Sequence, residues 1–219
     1  MKITLQEGLD NMRLRLEQEL NQCQDYLMSM LAYSYHCVDL IDASLNKGVD
    51  LDLQSISDDE ANSDTCEKNV QQLIAKIILT QQPVAKDLRY ISALMHLFAD
   101  LERISDQCVD VAEVLNDMGS DICLMTVKEM AHQVKKMVEH CVTCARVMDA
   151  TLASKVVQED DRLDECFNAC KQNILDELKK DNKNSEDLLN QFMIAKYFER
   201  IGDHSVNVAE WVMYYCDGE

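Results

Sequence analysis

Four pairs of carboxylates stand four residues apart in this chain: Glu60 and Asp64, Glu102 and Asp106, Asp160 and Asp164, and Glu199 and Asp203. On a helix such a pair shares one face at a separation of roughly 6 Å and repels itself by a few tenths of a kcal/mol. A row of such pairs therefore prefers a cation, and all-oxygen ligands suit a hard one. Magnesium, calcium, manganese and iron fit by hardness, and zinc remains open.

Two of the pairs belong to one repeated motif. Residues 102–115 (ERISDQCVDVAEVL) and 199–212 (ERIGDHSVNVAEWV) agree at eight of fourteen positions, 97 residues apart, so the chain reads as an internal duplication. In the first copy Glu102, Asp106, Asp110 and Glu113 form one stripe, with Ile104, Cys108, Val111 and Leu115 behind it. The second copy sets Glu199, Asp203, Asn207 and Glu210 in front of Ile201, Val208 and Val212. Each is an amphipathic helix with oxygen-bearing residues in front. Arg103 and Arg200 can each pair with the Asp three residues on.

The elements that must hold these stripes follow from composition and periodicity. One Pro, five Gly and few aromatic residues in a chain of 219 indicate an all-α protein. Apolar residues step at three and four over 5–46, where Gly48 suits a left-handed helix stop. Further helices are expected over 50–81, 84–115, 122–153, 156–181 and 185–215, with Pro83 in the first turn of the third. Asn116–Asp121 is the best boundary, giving repeats at 1–118 and 119–219. The fold expected is two tandem antiparallel three-helix bundles. The second and third helices of each repeat then face one another. Glu60 and Asp64 approach Glu102 and Asp106, and Asp160 and Asp164 approach Glu199 and Asp203. The outer pairs lie 100 residues apart and the inner pairs 97, so the second repeat is three residues shorter between those helices.

A formal charge of −19 argues against nucleic acid, whose phosphates need a Lys/Arg patch. It also speaks against free phosphate as a direct ligand of the acidic surface. The N-terminal residues MKITLQEGLDNM lack an apolar core, and no run of 18 apolar residues occurs. A cytoplasmic protein is expected, touching membrane only through partners. The ten cysteines are scattered over helical patterns and read as small buried residues.

Two stretches then resemble a known family. Gln82-Pro83-Val84-Ala85-Lys86-Asp87-Leu88-Arg89, followed by Asp100-Leu101-Glu102-Arg103-Ile104-Ser105-Asp106, is similar to the first repeat of PhoU. Phe198-Glu199-Arg200-Ile201-Gly202-Asp203-His204-Ser205-Val206-Asn207 resembles the second. The resemblance spans nearly the whole chain. It implies paired three-helix bundles and a non-enzymatic, negative regulator of phosphate uptake and of the phosphate regulon. The implied partners are a phosphate-specific ABC transporter, through its ATPase subunit, and a sensor histidine kinase, and the implied assembly is a homodimer. It further implies metal clusters at Glu102, Asp106, Glu199 and Asp203, with Glu60, Asp64, Asp160 and Asp164 opposite. Two departures stand out: Ser105 replaces the usual Gly, and Glu60 stands where a shorter Asp is common.

Three other readings compete. A ferritin-like di-iron protein needs two Glu-x-x-His pairs in its core, and only Glu129-x-x-His132 fits. A zinc or redox site at Cys141-x-x-Cys144, with His140 or His132, lacks a second spaced pair. A metal-free helical adaptor would use the acidic face to bind a basic partner. No nucleophile–base pair or Gly-rich phosphate loop is visible.

Overall fold

A computed structural model describes residues 2–118, 123–180 and 185–217, with side chains from residue 11 onward. Six helices follow in order: α1 (Lys2–Lys47), α2 (Leu53–Gln81), α3 (Lys86–Met118), α4 (Met125–Val147), α5 (Ala150–Leu178) and α6 (Ser185–Cys216). No strand occurs among the described residues. Helices α1–α3 form one up-down-up bundle and α4–α6 a second.

The apolar periodicity explains the packing. Cys23, Leu27, Met30, Leu31, Cys37, Val38, Ile41 and Leu45 of α1 are all buried. So are Ile104, Cys108, Val111 and Leu115 of α3 and Ile201, Val208 and Val212 of α6, the back stripes of the duplicated motif. Ile56, Ser63, Val70 and Ile74 of α2 recur 100 positions on as the buried Val156, Leu163, Cys170 and Ile174 of α5. The core register of the outer helices thus carries the three-residue difference from the inner ones.

The bundles lie side by side, α1 on α4 and α3 on α6. Both pairs are antiparallel. Asn46 donates to the Lys128 carbonyl, while Asp42 meets His132 and Lys135. At the other pair His204 Nδ1 donates to Asp100 Oδ1 at 2.9 Å and Asn207 Nδ2 donates to the same oxygen at 3.0 Å. His96 stacks on Trp211 at 3.7 Å between ring centroids. The repeats are therefore related by a pseudo-two-fold axis lying in the interface between them. The groove between α2 and α3 and that between α5 and α6 both fall on the α3/α6 side of the molecule.

Several boundaries differ from those the sequence suggests. The fourth helix stops at Val147 rather than near 153, and the fifth begins at Ala150 rather than 156. The break lacks Gly and Pro. Met148 takes the left-handed conformation at φ 50°, and Asp149 caps α5 by accepting from the Leu152 amide at 2.9 Å. Asp52 caps α2 in the same way through Ser55. Pro83 precedes α3 instead of opening it, flanked by left-handed Gln82 and Ala85. Gly48 is left-handed at φ 66°, as expected. The expected boundary at Gly119–Asp121 and the turn at Asp181–Asn184 lie outside the described residues.

Candidate metal-binding seams on the α3/α6 face

Each groove on this face carries one of the carboxylate sets. In the first, Glu60 and Asp64 of α2 meet Glu102 and Asp106 of α3, and all four are partly exposed. In the second, Asp160 and Asp164 of α5 meet Glu199 and Asp203 of α6; Asp160 and Glu199 are partly covered, Asp164 and Asp203 exposed. The eight residues singled out by spacing thus gather into two seams at the surface, backed by the buried stripes.

Crowding shows in the titration of these groups. Partial burial pushes the Glu60 carboxyl above its ordinary value, and Asp106 and Asp64 add repulsion. Glu102 is raised first by burial; Arg103 opposes the shift, while Glu67, Asp106 and Asp64 reinforce it. Asp160 is raised by burial and then by Asp164, Asp203, Asp161 and Glu199. Asp203 is raised by burial and Glu199, against the pull of Lys196 and His204. Each seam thus disfavours its own charge.

Nearby cations answer part of that repulsion. Lys68 bonds Asp64, Lys196 bonds Glu199, and Arg103 reaches Glu102 at 3.5 Å and Asp106 at 3.6 Å. Arg200 does not pair with Asp203, because it turns to Gln107 Oε1 across the bundle interface at 3.5 Å. Asn207 is likewise drawn out of the acid row by Asp100. Among the described residues no three His, Cys, Asp or Glu side chains converge closely enough to hold an ion. As donors, the carboxylates fit a hard cation; such an ion would have to draw Asp64 and Glu199 off their lysines.

The motif position occupied by Ser105 and Gly202 faces inward. Ser105 is fully buried, its hydroxyl 3.3 Å from both Ser34 Oγ and the Leu101 carbonyl. At Gly202 a Cβ would sit 2.3 Å from Leu163 Cδ2 and 3.6 Å from Asp160 Oδ1. The register of α2 and α5 places Ser63 where repeat two has Leu163. Repeat one therefore combines Ser with Ser and repeat two Gly with Leu, so the missing Gly is a packing exchange beneath the seam.

The competing constellations are positioned otherwise. Glu129 and His132 are exposed rather than facing the core. Cys141 and Cys144 are fully buried, with the Cys144 thiol donating to the Cys141 carbonyl and pushed up to about 12 by burial. None of the ten cysteines is in a disulfide, and seven of them are buried. His140 turns to Glu159 at 2.8 Å, and His36 pairs with Asp59 at 2.6 Å in repeat one. This repeated pair escaped the sequence reading, although its signal was present: His36-Cys37-Val38 returns as His140-Cys141-Val142.

The PhoU domain family matches residues 27–115 and again residues 127–212, and each span holds one complete seam. The chain belongs to the PhoU family. It is similar to a phosphate-specific transport system accessory protein PhoU homolog of Borreliella burgdorferi, 30% identical over 220 residues that cover 94% of this chain and 97% of the relative. The homolog of the same description from Pseudomonas aeruginosa is 27% identical, covering 95% and 90%. The crystal structure of PhoU from P. aeruginosa superposes with a TM-score of 0.84 at 28% identity, covering 93% of this chain and 99% of that one. The phosphate transport system regulatory protein PhoU of Streptococcus pneumoniae shares the fold at a TM-score of 0.81 and 17% identity, covering 93% of this chain and 98% of that one.

Proposed function

We propose that this chain is a cytoplasmic, non-enzymatic regulator of phosphate uptake and phosphate-responsive signalling that acts by protein–protein contact. Its partners are the ATPase subunit of a phosphate-specific ABC transporter and a sensor histidine kinase, and it works as a homodimer. The relatives' description as accessory proteins of a phosphate-specific transport system supports this reading. So does the lack, among the described residues, of any helix long and apolar enough to cross a membrane.

The observation that carries the mechanism is the pair of matched, self-repelling seams on one face. Glu60, Asp64, Glu102 and Asp106 would hold metal at one, and Asp160, Asp164, Glu199 and Asp203 at the other. A bound metal would neutralise each seam and offer open coordination positions to a partner's side chains. The carboxylates themselves set where that contact forms.

Elemental analysis of protein purified without chelator tests the metal. Content should fall by half in a Glu199→Gln/Asp203→Asn variant, and an unchanged content refutes the assignment. Affinity capture from cells grown in excess phosphate should recover transporter and kinase; recovery of neither overturns the regulatory role. The lysine and arginine bonds within the seams favour a second reading, in which a basic partner segment replaces Lys68, Arg103 and Lys196 and no metal is needed. Capture that survives chelation selects it.

A further inference from the structure

The face opposite the seams carries a local group of cations. Between α4, α5 and the end of α1 lies a pocket of about 350 Å³ lined by Lys128, Lys136 and Arg162, with His132, Gln133 and Glu129. In a chain with 21 Lys and Arg against 40 Asp and Glu, three cations around one cavity call for a reason. Elsewhere Arg13, Arg15, Lys68, Lys76, Lys135 and Lys196 are tied to carboxylates, and other cations without an ion pair among the described residues, Lys47, Arg89, Arg146, Lys155 and Lys171, do not line this pocket. Lys128, Lys136 and Arg162 have no ion-pair partner among the described residues. Glu129 in the lining and Glu165 beside Cys166 offset part of this charge.

Two further observations point to a ligand. Gln133 is 6% exposed and lines this pocket, where its amide is reached by solvent and has no hydrogen-bond partner among the described residues. That amide is therefore free to bond a group held in the pocket. The second is the comparison between repeats. The register that carries Cys37 onto Cys141, and Ile56 onto Val156, sets Gln24, Ala32 and Asn62 where repeat two has Lys128, Lys136 and Arg162. The bundle folds without these cations in repeat one, so the fold does not require them in repeat two.

We propose that this pocket binds a small phosphate-bearing anion. Arg162 offers a planar fork that matches two phosphate oxygens, Lys128 and Lys136 supply point charges, and the Gln133 amide donates a further bond. Its volume is at the small end of ligand pockets and suits a small molecule. Arg162 stands between Asp160 and Asp164 in sequence but about 200° around the helix from Asp160, so α5 turns its acids to one face and its cation to the other. A net charge of −19 thus does not describe this surface. The choice of phosphate over other oxyanions rests on the proposed role in phosphate regulation; the binding itself does not.

The test is calorimetry on the full chain in chelator, so that seam metal plays no part, titrating inorganic phosphate, pyrophosphate and ATP in turn. At least one should bind saturably, one per chain. Each charge-assisted contact removed should weaken binding about tenfold, so Lys136→Gln/Arg162→Gln should lose about 100-fold. A control variant of equal charge change, Lys155→Gln/Lys171→Gln, should keep its affinity, as should Glu199→Gln/Asp203→Asn. Tightest binding of phosphate assigns the free ion, and of pyrophosphate or ATP a phosphorylated molecule. Saturable binding in no titration, undiminished binding in the pocket variant, or an equal loss in the control overturns the proposal. Calorimetry reads this pocket separately from metal content and partner capture, which read the seams.

Discussion

Gly202 is where packing and the second seam meet, and replacing it with Ala has a calculable outcome. The new methyl would stand 2.3 Å from Leu163 Cδ2, so Leu163 or α5 must retreat by about 1.2 Å to reach the ~3.5 Å edge of van der Waals contact. Overpacking of this kind costs about 1–3 kcal/mol. Replacing Gly by Ala within a helix returns about 1 kcal/mol. The net expectation is a loss near 1 kcal/mol, a fall of about 2–4 °C in Tm for a chain of this size. A double-mutant cycle isolates the clash. Leu163→Ala alone should cost about 2–5 kcal/mol. In that background Gly202→Ala meets a cavity and should stabilise by about 1 kcal/mol, giving a coupling of about 1–3 kcal/mol. Urea unfolding with unchanged m-values is the assay. Because Asp160 and Leu163 both ride on α5, a retreat of that helix from the 2.3 Å clash should lower any metal affinity of the second seam while the first keeps its own. Additivity within about 0.5 kcal/mol would falsify the close-approach argument.

Other expectations follow from the same geometry. Glu60, Glu102, Asp160 and Asp203 titrate above their ordinary values, so between the unfolded and folded values the folded state binds more protons. Stability contributed by these groups therefore falls as pH rises through that window and is lowest above it. Manganese or magnesium should accordingly raise Tm most near pH 7.5 and little once the seams are protonated, as thermal scans with and without metal would reveal. Asp149→Ala removes the cap of α5 and should cost about 0.5–2 kcal/mol, read by thermal unfolding. Asp100→Ala strips both His204 and Asn207 of their shared acceptor and should cost about 1–3 kcal/mol, measured against His204→Ala in the same background.

The seams were legible in the sequence because helical spacing and antiparallel neighbours are enough to bring Glu60 to Asp106 and Asp160 to Asp203. The buried stripes behind them were legible for the same reason. What periodicity could not resolve was a helix break without Gly or Pro: at Met148–Asp149 the stop depends on one strained residue and one cap, and the apolar pattern runs on through it. Nor could it show which polar residues the second bundle would claim. Arg200 and Asn207 look like seam residues until α3 presents Gln107 and Asp100 to them. The cationic pocket was hidden behind net charge, since Lys128, Lys136 and Arg162 sit on two helices whose mutual register only the fold reveals.

Because α3 and α6 run in opposite directions, the two grooves beside them point opposite ways. A lone basic segment lying across both would read one of them backwards. A partner with a dyad of its own could lay identical residues along each, and the second contact would then form at the high local concentration created by the first. Under the proposed partner contact, a paired subunit would therefore suit this surface better than a single directional segment.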